Sequence, residues 1–279
     1  MSQPSLDMIT NLYPSLSRAE RKVADYILDN AAIVLRMSVR ELKDAIGVSE
    51  PTIIRFCQSL SYSGFRDFKI SIAQQLSSYK SYFMSDDKSE TKLQTVVRRM
   101  LENEVKIIET TLRLMDYEQL EHTAKRMIDS HRICLFGAGT SVEICHDLCR
   151  KLLRLGLSVW SFSDFHDATT LLGTFTQEDL VIVITHSGIT QETGDIARIA
   201  HGRHAYTVLM TAYPNTRFKK YADTLLRTYA HESLDSRISV ASRVGQYAMS
   251  DALYATIVSL MGEEILPVME QATRDVIGR

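Results

Sequence analysis

From residue 131 onward, the chain alternates short apolar runs with longer segments of helical periodicity. Short apolar runs of this kind are typical of strands that are buried on both faces. The helical segments between them provide the crossovers that parallel strands need. The pattern therefore predicts an α/β body built around a five-stranded parallel sheet. The predicted strands are 132–136, 157–162, 180–185, 205–211 and 224–229.

The residues before 77 carry helix signals only. Ser17 and Glu20 have the spacing of a capping box, and Ser38 and Glu41 repeat it, so a helix is expected to begin after each serine. Gly47 is expected to end the second of these helices. The predicted divisions of the chain are an all-α head at 1–76, a serine-rich linker at 77–92, and the α/β body with its flanking helices at 93–279.

Residues 38–60 have the pattern of a helix-turn-helix, whose second helix enters the major groove of DNA. The stripe expected to face the core consists of Ile53, Phe56, Cys57 and Leu60. Short hydroxyl side chains and Arg can reach base edges, and nearby basic side chains can hold phosphates. A helical bundle that binds nothing is the alternative. The predicted DNA contacts are Ser49, Thr52, Arg55 and Ser59, followed by Arg66 and Lys69.

The composition restricts the partners. The formal net charge is -2, so any nucleic-acid binding must be local. No apolar run approaches the ~18 residues of a membrane span, and the N-terminus has no basic start followed by an apolar stretch. Four cysteines in 279 residues do not make a disulfide framework. These features predict a cytoplasmic protein that contacts no membrane.

Two hydroxyl-rich loops follow predicted strands. Residues 137–141 follow the first strand and residues 185–190 follow the third, and a helix begins after each loop. Ligands of open α/β sheets bind at the carboxyl ends of strands, and helix N-termini attract anions. Two such loops suit a phosphate and the hydroxyls of an attached sugar. His166, after the second strand, is either another polar contact or a surface or capping histidine.

Other chemistries fit these motifs less well. The first loop begins like a dinucleotide fingerprint, but residue 142 is Val where the third Gly is needed. No ATP-binding P-loop pattern occurs, and Ser187 lacks the flanking glycines of a nucleophilic serine. Cys145, His146 and Cys149 lie on an apolar helix without a second cluster of metal ligands. The sequence thus predicts no catalytic residue, no metal and no cofactor.

Two sets of motifs resemble one known family. The segments SRAERKVADYIL, VSEPTIIRFC and GFRDFK resemble the N-terminal domain of RpiR-type transcriptional regulators. The segments GAGTS, KLLRLG, THSGIT-QET and SRVGQYAMSDALY resemble their sugar isomerase (SIS) domain. The resemblance implies a DNA-binding regulator whose SIS domain senses a phosphosugar. It also implies a flavodoxin-like sheet of order 2-1-3-4-5, and a homodimer or higher oligomer on a pseudo-palindromic operator.

The resemblance also implies which residues contact the ligand. The phosphosugar positions of the family fall on Thr140, Ser141, Thr185, Ser187 and Thr190. His166 falls where the family often has a polar residue near the sugar. This chain departs from the family at Thr185, where serine is common, and at Ser61, where glycine is common before Tyr62.

Within the family, the spacing of these residues is most similar to regulators of amino-sugar or sialic-acid catabolism. The expected function is a repressor that N-acetylmannosamine 6-phosphate releases from DNA. N-acetylglucosamine 6-phosphate, glucosamine 6-phosphate and keto-deoxy sugar acid phosphates stay open as effectors. The alternative is a phosphosugar isomerase that uses the same pocket, with a base among His186, Glu192, Glu232 and His166.

Overall fold

The computed structural model describes residues 6, 9, 13, 16–60, 62–83, 91–188, 190–229 and 241–277. The chain divides into two compact units. Met1–Glu104 and His231–Val240 form the first unit, and Val105–Ala230 and Ala241–Arg279 form the second.

The first unit contains the helices α1 (Arg18–Val34), α2 (Val39–Ile46), α3 (Glu50–Ser59) and α4 (Phe65–Phe83). Both predicted capping boxes are confirmed. Ser17 accepts a hydrogen bond from the N–H of Glu20, and the Glu20 carboxylate accepts one from the N–H of Ser17. Ser38 and Glu41 make the same pair of bonds at α2. Gly47 ends α2 with a φ of 73°, a conformation that glycine adopts without strain.

The helices of the first unit share one apolar core. Ile53, Phe56 and Cys57 of α3 are completely buried, as their stripe predicts. The ring of Phe56 meets that of Phe68 of α4 edge-on, with centroids 6.1 Å apart, a geometry that aromatic pairs favour. These contacts fix the face of α3 that is directed toward the core, and therefore also the face that is exposed.

Helix α4 extends past the predicted end of the head at residue 76. It continues through Phe83, so residues 77–83, which we expected in the linker, are helical. This stretch contains neither Gly nor Pro, and Ser and Tyr disfavour a helix only mildly. Residues 84–90 of the predicted linker lie outside the described residues, and helix α5 (Lys92–Leu114) follows.

The second unit contains a five-stranded parallel sheet of order β2-β1-β3-β4-β5. The predicted strands and their order are confirmed. The structure has β1 at Ile133–Gly137, β2 at Val159–Phe162, β3 at Leu180–Ile184, β4 at Tyr206–Thr211 and β5 at Thr224–Arg227. Alternate residues of a strand face opposite sides of the sheet. Leu135 of β1 therefore packs in one core, and Phe136 packs in the other.

Helices cover both faces of the sheet. One face packs against α6 (Tyr117–Asp129), α7 (Ser141–Leu153) and α10 (Ala241–Met261). The other packs against α8 (Phe165–Leu172) and α9 (Gln191–Gly202). The last helix is α11 (Leu266–Ile277).

One segment, Arg243–Gln271, is long and apolar enough to cross a membrane by length and composition alone. The core helix of a soluble protein can pass the same test. In this segment Met249, Leu253 and Ile257 of α10 are buried in the core under the sheet, but only 17% of its most apolar 18 residues are buried.

A buried ion pair joins the amino ends of β1 and β3. The Asp179 carboxylate is 1% exposed and accepts hydrogen bonds from Nε and Nη2 of Arg132 at 2.9 and 2.7 Å. Burial by itself would raise the pKa of Asp179, but the hydrogen bonds from Arg132 and from the N–H of Thr176 hold that pKa below its ordinary value. The pair therefore ties the two central strands together at the edge opposite their carboxyl ends.

Candidate functional sites

The order in which the chain adds strands to the sheet reverses between β1 and β3. The candidate site lies at the carboxyl ends of these two strands. These strands are hydrogen-bonded neighbours, yet α7 after β1 and α9 after β3 lie on opposite faces. Chain connections that diverge in this way leave a crevice at the strand ends, which is the usual ligand site of open α/β sheets. Both predicted hydroxyl-rich loops lie at this crevice.

The first loop places two hydroxyl side chains at the start of α7. Thr140 is exposed, and its hydroxyl is not used to cap the helix. Ser141 is only 3% exposed, and its hydroxyl contacts the side-chain amide of Gln246 on α10. The Ser141 hydroxyl lies 3.1 Å from Nε2 and 3.3 Å from Oε1 of that amide.

Gln246 is a site residue that the sequence analysis missed. It is completely buried and lies 105 residues from Ser141 in the chain. Gln246 belongs to the segment SRVGQYAMSDALY that resembles the SIS domain, but the sequence analysis assigned it no role, and only the packing of α10 against α7 brings it to the loop.

Close packing also shapes the first loop. A Cβ atom at Gly137 would lie 2.9 Å from both the Cys145 sulfur and the backbone oxygen of Ser141. Only glycine therefore fits at position 137. Cys145 is buried, His146 is exposed and Cys149 is half-buried, so these three side chains of α7 do not converge on one point. Burial raises the pKa of the Cys145 thiol, which disfavours the thiolate that a metal would require.

The second loop is held by the segment after β4. The Thr185 hydroxyl accepts a hydrogen bond from the N–H of Gly188 at 3.2 Å. Thr211 donates to the backbone oxygen of His186 at 3.0 Å, and Thr216 donates to that of Gly188. Gly188 has a φ of 65°, and a Cβ there would lie 2.7 Å from Cβ of Thr216. The loop is therefore fixed in shape by the residues around it.

The remaining predicted ligand contacts lie at the same edge of the sheet. Ser187 is buried, at 7% exposure, and Thr190 is the half-buried N-cap of α9, with a hydroxyl not used for capping. His166 is exposed in the first turn of α8, where Asp164 caps the helix. His186 is half-buried, and its ring meets that of Tyr213 edge-on, with the ring centroids 5.4 Å apart. The three strand ends involved belong to the adjacent strands β2, β1 and β3.

This arrangement has a defined chemistry. Two helix N-termini supply partial positive charge and backbone N–H groups, and serine and threonine supply uncharged donors. Such a site suits an anionic group that is attached to a hydroxylated molecule. That these residues bind a ligand stays a prediction.

The first unit presents the second candidate surface, around α3. Arg55 and Ser59 are exposed, as predicted for DNA contacts, and the Ser59 hydroxyl donates to the backbone oxygen of Phe56. The expectation that Thr52 lies on the exposed face is wrong. Thr52 is buried at 9% exposure, and its hydroxyl lies 2.8 Å from that of Ser49. It therefore orders the start of α3, where Ser49 is the N-cap residue but its side chain caps no backbone amide.

Lys69 has a partner inside the first unit. Its ammonium donates to the backbone oxygens of Met37 at 2.9 Å and Leu35 at 3.4 Å, and it lies over the ring of Phe65. These bonds join α4 to the turn between α1 and α2. The predicted phosphate contact of Lys69 stays a prediction, whereas Arg66 is exposed.

A charged cluster that the sequence analysis missed lies beside α3. Glu50, the first residue of α3, has its carboxylate 3.7 Å from Nε of Arg40 and 3.9 Å from Nζ of Lys43. Arg40 is 83% exposed, so α2 adds an exposed guanidinium to the surface that α3 presents.

Two protein-family models match the chain. Residues 4–79 match the family described as "Helix-turn-helix domain, rpiR family", and residues 126–256 match the SIS domain. The first match covers α1 to most of α4, and the second covers all five strands.

Similar proteins extend over nearly the whole chain. An uncharacterized HTH-type transcriptional regulator of Haemophilus influenzae is 31% identical over 98% of this chain and 96% of its own length. The HTH-type transcriptional regulator HexR of Pseudomonas aeruginosa is 26% identical over 98% of this chain and 95% of its own length. The solved structure of Vibrio vulnificus NanR complexed with ManNAc-6P has a TM-score of 0.65 at 24% identity, and the match covers 98% of each chain. That likeness shows a shared fold.

Proposed function

Because the chain belongs to the rpiR family of helix-turn-helix transcriptional regulators with a SIS domain, we propose that it is a repressor of amino-sugar catabolism genes controlled by a phosphosugar. The effector that we propose is N-acetylmannosamine 6-phosphate, which releases the protein from DNA. The observation that carries this proposal is the pair of buried serines, Ser141 and Ser187, in the loops of adjacent strands.

The ligand half of the proposal follows from the chemistry of the crevice. A phosphate receives hydrogen bonds from the loop hydroxyls and from backbone N–H groups at the N-termini of α7 and α9. His166, on α8 after β2, is available to the sugar. The ligand of the NanR structure, ManNAc-6P, supports this choice of phosphosugar.

The DNA half follows from the exposed surface of the first unit. In a homodimer, two copies of α3 enter the major groove about one helical turn apart on a pseudo-palindromic operator. Arg55 contacts a base edge or a phosphate from the exposed face of α3. The sugar releases the operator only because it binds one arrangement of the dimer more tightly than the other.

The effector is tested by thermal unfolding of the purified protein with N-acetylmannosamine 6-phosphate, the other three candidate phosphosugars and their unphosphorylated parents. A ligand that binds only the folded state raises the unfolding temperature. We expect a shift with N-acetylmannosamine 6-phosphate and none with its parent sugar. A larger shift with another phosphosugar would replace the proposed effector, and no shift with any would refute the ligand half.

The site is tested with Ser187→Ala, which removes one buried hydroxyl. We expect a loss of phosphosugar binding on the order of 1–3 kcal/mol, measured by calorimetry. Ser158→Ala is the matched control, because Ser158 is exposed just before β2, at the opposite edge of the sheet. Equal affinities of both variants would place the ligand elsewhere.

The DNA surface is tested with Arg55→Ala and with DNA fragments that the wild-type protein selects from a random pool. We expect Arg55→Ala to lose binding to these fragments while its phosphosugar affinity is unchanged. Arg154→Ala, which removes an exposed arginine of the second unit, should leave both affinities intact. Undiminished DNA binding of Arg55→Ala would refute our assignment of α3 as the recognition helix.

The isomerase alternative rests on His186, which is half-buried next to Ser187. Glu192 and His166 are exposed on the helices after β3 and β2, and Glu232 lies outside the described residues. Aldose and ketose phosphates can be incubated with the protein and followed by NMR. Turnover that is lost in His186→Gln would replace the regulator proposal with an enzyme, and binding without turnover supports the regulator.

A further inference from the structure

One stretch of the second unit carries charge of a single sign. Residues 196–222 contain five Lys or Arg residues and no Asp or Glu, in a chain whose formal net charge is -2. All five basic residues are exposed. We call them the basic stripe, and they are Arg198, Arg203, Arg217, Lys219 and Lys220.

The segment after β4 runs along one face of α9 and brings these residues together. Positions 191, 194, 198 and 201 follow each other at helical spacing and therefore share that face. The segment touches the face at three points from the start of α9 to its end. These contacts are Arg217 with the side-chain oxygen of Gln191 at 2.9 Å, the ring of Phe218 with Gly194, and the ring of Tyr221 with that of His201, with centroids 6.1 Å apart.

The segment is fixed in place rather than laid loosely on the helix. Phe218 is buried at 5% exposure, and a Cβ at Gly194 would lie only 2.0 Å from its ring. A short 3₁₀ turn, Lys219–Tyr221, follows at once. Lys220 lies over the ring of Tyr221, with its ammonium 4.9 Å from the centroid. The cations of the stripe are therefore held on a preformed surface.

Three cations of the stripe have no acidic partner within the part of the chain that the structure describes. Lys219, Lys220 and Arg203 form no ion pair there, whereas Arg198 pairs with Asp195 at 3.3 Å. Asp223, just past the stripe, accepts a hydrogen bond from the N–H of Thr207 at 2.8 Å. The stripe thus has an excess of positive charge that its neighbours do not neutralise.

We propose that the basic stripe binds the sugar–phosphate backbone of double-stranded DNA without reading its sequence. This inference rests on the DNA half of the proposed function. The twelve residues of α9 span about 18 Å. Each strand of DNA presents one phosphate per about 3.4 Å of helix axis, so a stripe of this length faces about five phosphates of one strand.

The surface around the stripe favours DNA over an acidic protein. Interfaces between proteins are usually anchored by large apolar or aromatic side chains. Among the described residues between 191 and 222, no large hydrophobic side chain is exposed. Interfaces with DNA are polar and strongly positive and need no such anchor.

The stripe is also distinct from the crevice that we propose for the phosphosugar. His201 and Arg203 come shortly before β4, and the turn Lys219–Tyr221 comes shortly before β5. These residues therefore lie toward the amino ends of the strands, whereas the two hydroxyl-rich loops follow the carboxyl ends of β1 and β3. Variants of the two lysines should leave phosphosugar binding unchanged.

The experiment measures how salt weakens binding of the full-length protein to a labelled DNA duplex of random sequence. Fluorescence anisotropy gives the association constant between about 50 and 200 mM salt. In Lys219→Gln/Lys220→Gln, we expect the slope of log association constant against log salt to be less steep by about 1.8. This is about 0.9 for each lost phosphate contact. At the lower salt concentrations, binding should weaken about tenfold or more.

Two control variants separate the stripe from net charge and from folding. Lys219→Arg/Lys220→Arg keeps both charges and should keep the slope of wild type. Arg150→Gln/Arg154→Gln removes the same charge from two exposed arginines near the end of α7 and should also keep it. An unchanged slope in Lys219→Gln/Lys220→Gln, or an equal change in Arg150→Gln/Arg154→Gln, would overturn the proposal.

Further measurements separate this inference from the proposed function and from the other class of partner. If Arg55→Ala loses the selected DNA fragments while Lys219→Gln/Lys220→Gln keeps the wild-type slope, the recognition helix stands and only the stripe is wrong. A wild-type protein that binds neither kind of duplex would refute the DNA half of the proposed function and this inference with it. Tighter binding to poly-L-glutamate than to the random duplex, lost in the same lysine variant, would assign the stripe to an acidic protein segment instead of DNA.

Discussion

Replacing Gln246 with leucine removes both hydrogen-bonding groups of the buried amide that holds the Ser141 hydroxyl. The amide lies close enough either to donate to the Ser141 oxygen or to accept its proton. Only donation from Nε2 leaves the proton of Ser141 available for an anion. We therefore expect Gln246 to orient Ser141 toward a phosphosugar without contacting the ligand itself.

The magnitudes follow from the two kinds of hydrogen bond. Ser141→Ala removes a bond to a charged group, worth about 1.5–3 kcal/mol, and should weaken phosphosugar binding about 10- to 150-fold. Gln246→Leu removes a neutral bond worth about 1 kcal/mol and should weaken binding about fivefold. The double variant should bind no more weakly than Ser141→Ala alone, because Gln246 acts only through that hydroxyl.

The stability of the same variants provides a second measurement. Each single change leaves a buried polar group without its partner and should lower the free energy of unfolding by about 1–3 kcal/mol. The double variant removes both groups together and should lose less than the sum of the two. Calorimetric titration and urea unfolding measure the two effects. If the losses in binding are additive, Gln246 does not act through Ser141 and the reasoning is refuted.

Three further predictions concern parts of the chain outside the crevice. Lys69→Met should lower the free energy of unfolding, measured with urea, by about 1–3 kcal/mol, because two backbone oxygens lose a charged donor. If the variant is instead as stable as wild type but binds DNA less tightly, Lys69 contacts a phosphate. Asp179→Asn should lower the free energy of unfolding by about 1.5–3 kcal/mol at pH 7. Because the folded pKa of Asp179 is lowered, its contribution is present above the unfolded pKa of about 3.9 and is lost as the pH falls through the folded pKa. Urea unfolding should therefore show a smaller difference in the free energy of unfolding between wild type and variant at pH 3 than at pH 7. An equal difference at both pH values would contradict the ion-pair account. Burial raises the pKa of the thiols of Cys57 and Cys134 to about 12, so a thiol reagent such as DTNB should leave both unmodified until the protein unfolds; rapid labelling in the native state would contradict their burial.

The sheet was predictable because its signals are local and repeated. Each strand is a short run buried on both faces, and each crossover is long enough to show helical periodicity. The ends of α1 and α2 were also predictable, since Ser17 and Ser38 begin capping boxes within four residues of sequence. The order of the strands has no such local signal, and it was expected from the family resemblance.

The parts that were missed depend on contacts between distant segments. Thr52 follows the exposed pattern of α3, but its position in the first turn brings it against Ser49 and out of solvent. Lys69 looks like a surface lysine until α4 is packed beside the turn at Met37. Gln246 reaches Ser141 only through the packing of α10 on α7. Composition and periodicity contain none of this information.

The two loops of the crevice differ in how far they can vary. At Gly139, which has a φ of 59°, a Cβ would meet no atom within 4 Å, whereas at Gly188 a Cβ would meet Thr216 at 2.7 Å. Asparagine tolerates the left-handed conformation, so the first loop has room for a new side chain that reaches a different sugar. The second loop can gain one only if Thr216 becomes glycine at the same time, because the closest atom to the new side chain is Cβ of Thr216 itself. Changes of ligand preference among related proteins should therefore accumulate in the loop after β1, with the loop after β3 retained as the constant half of the crevice.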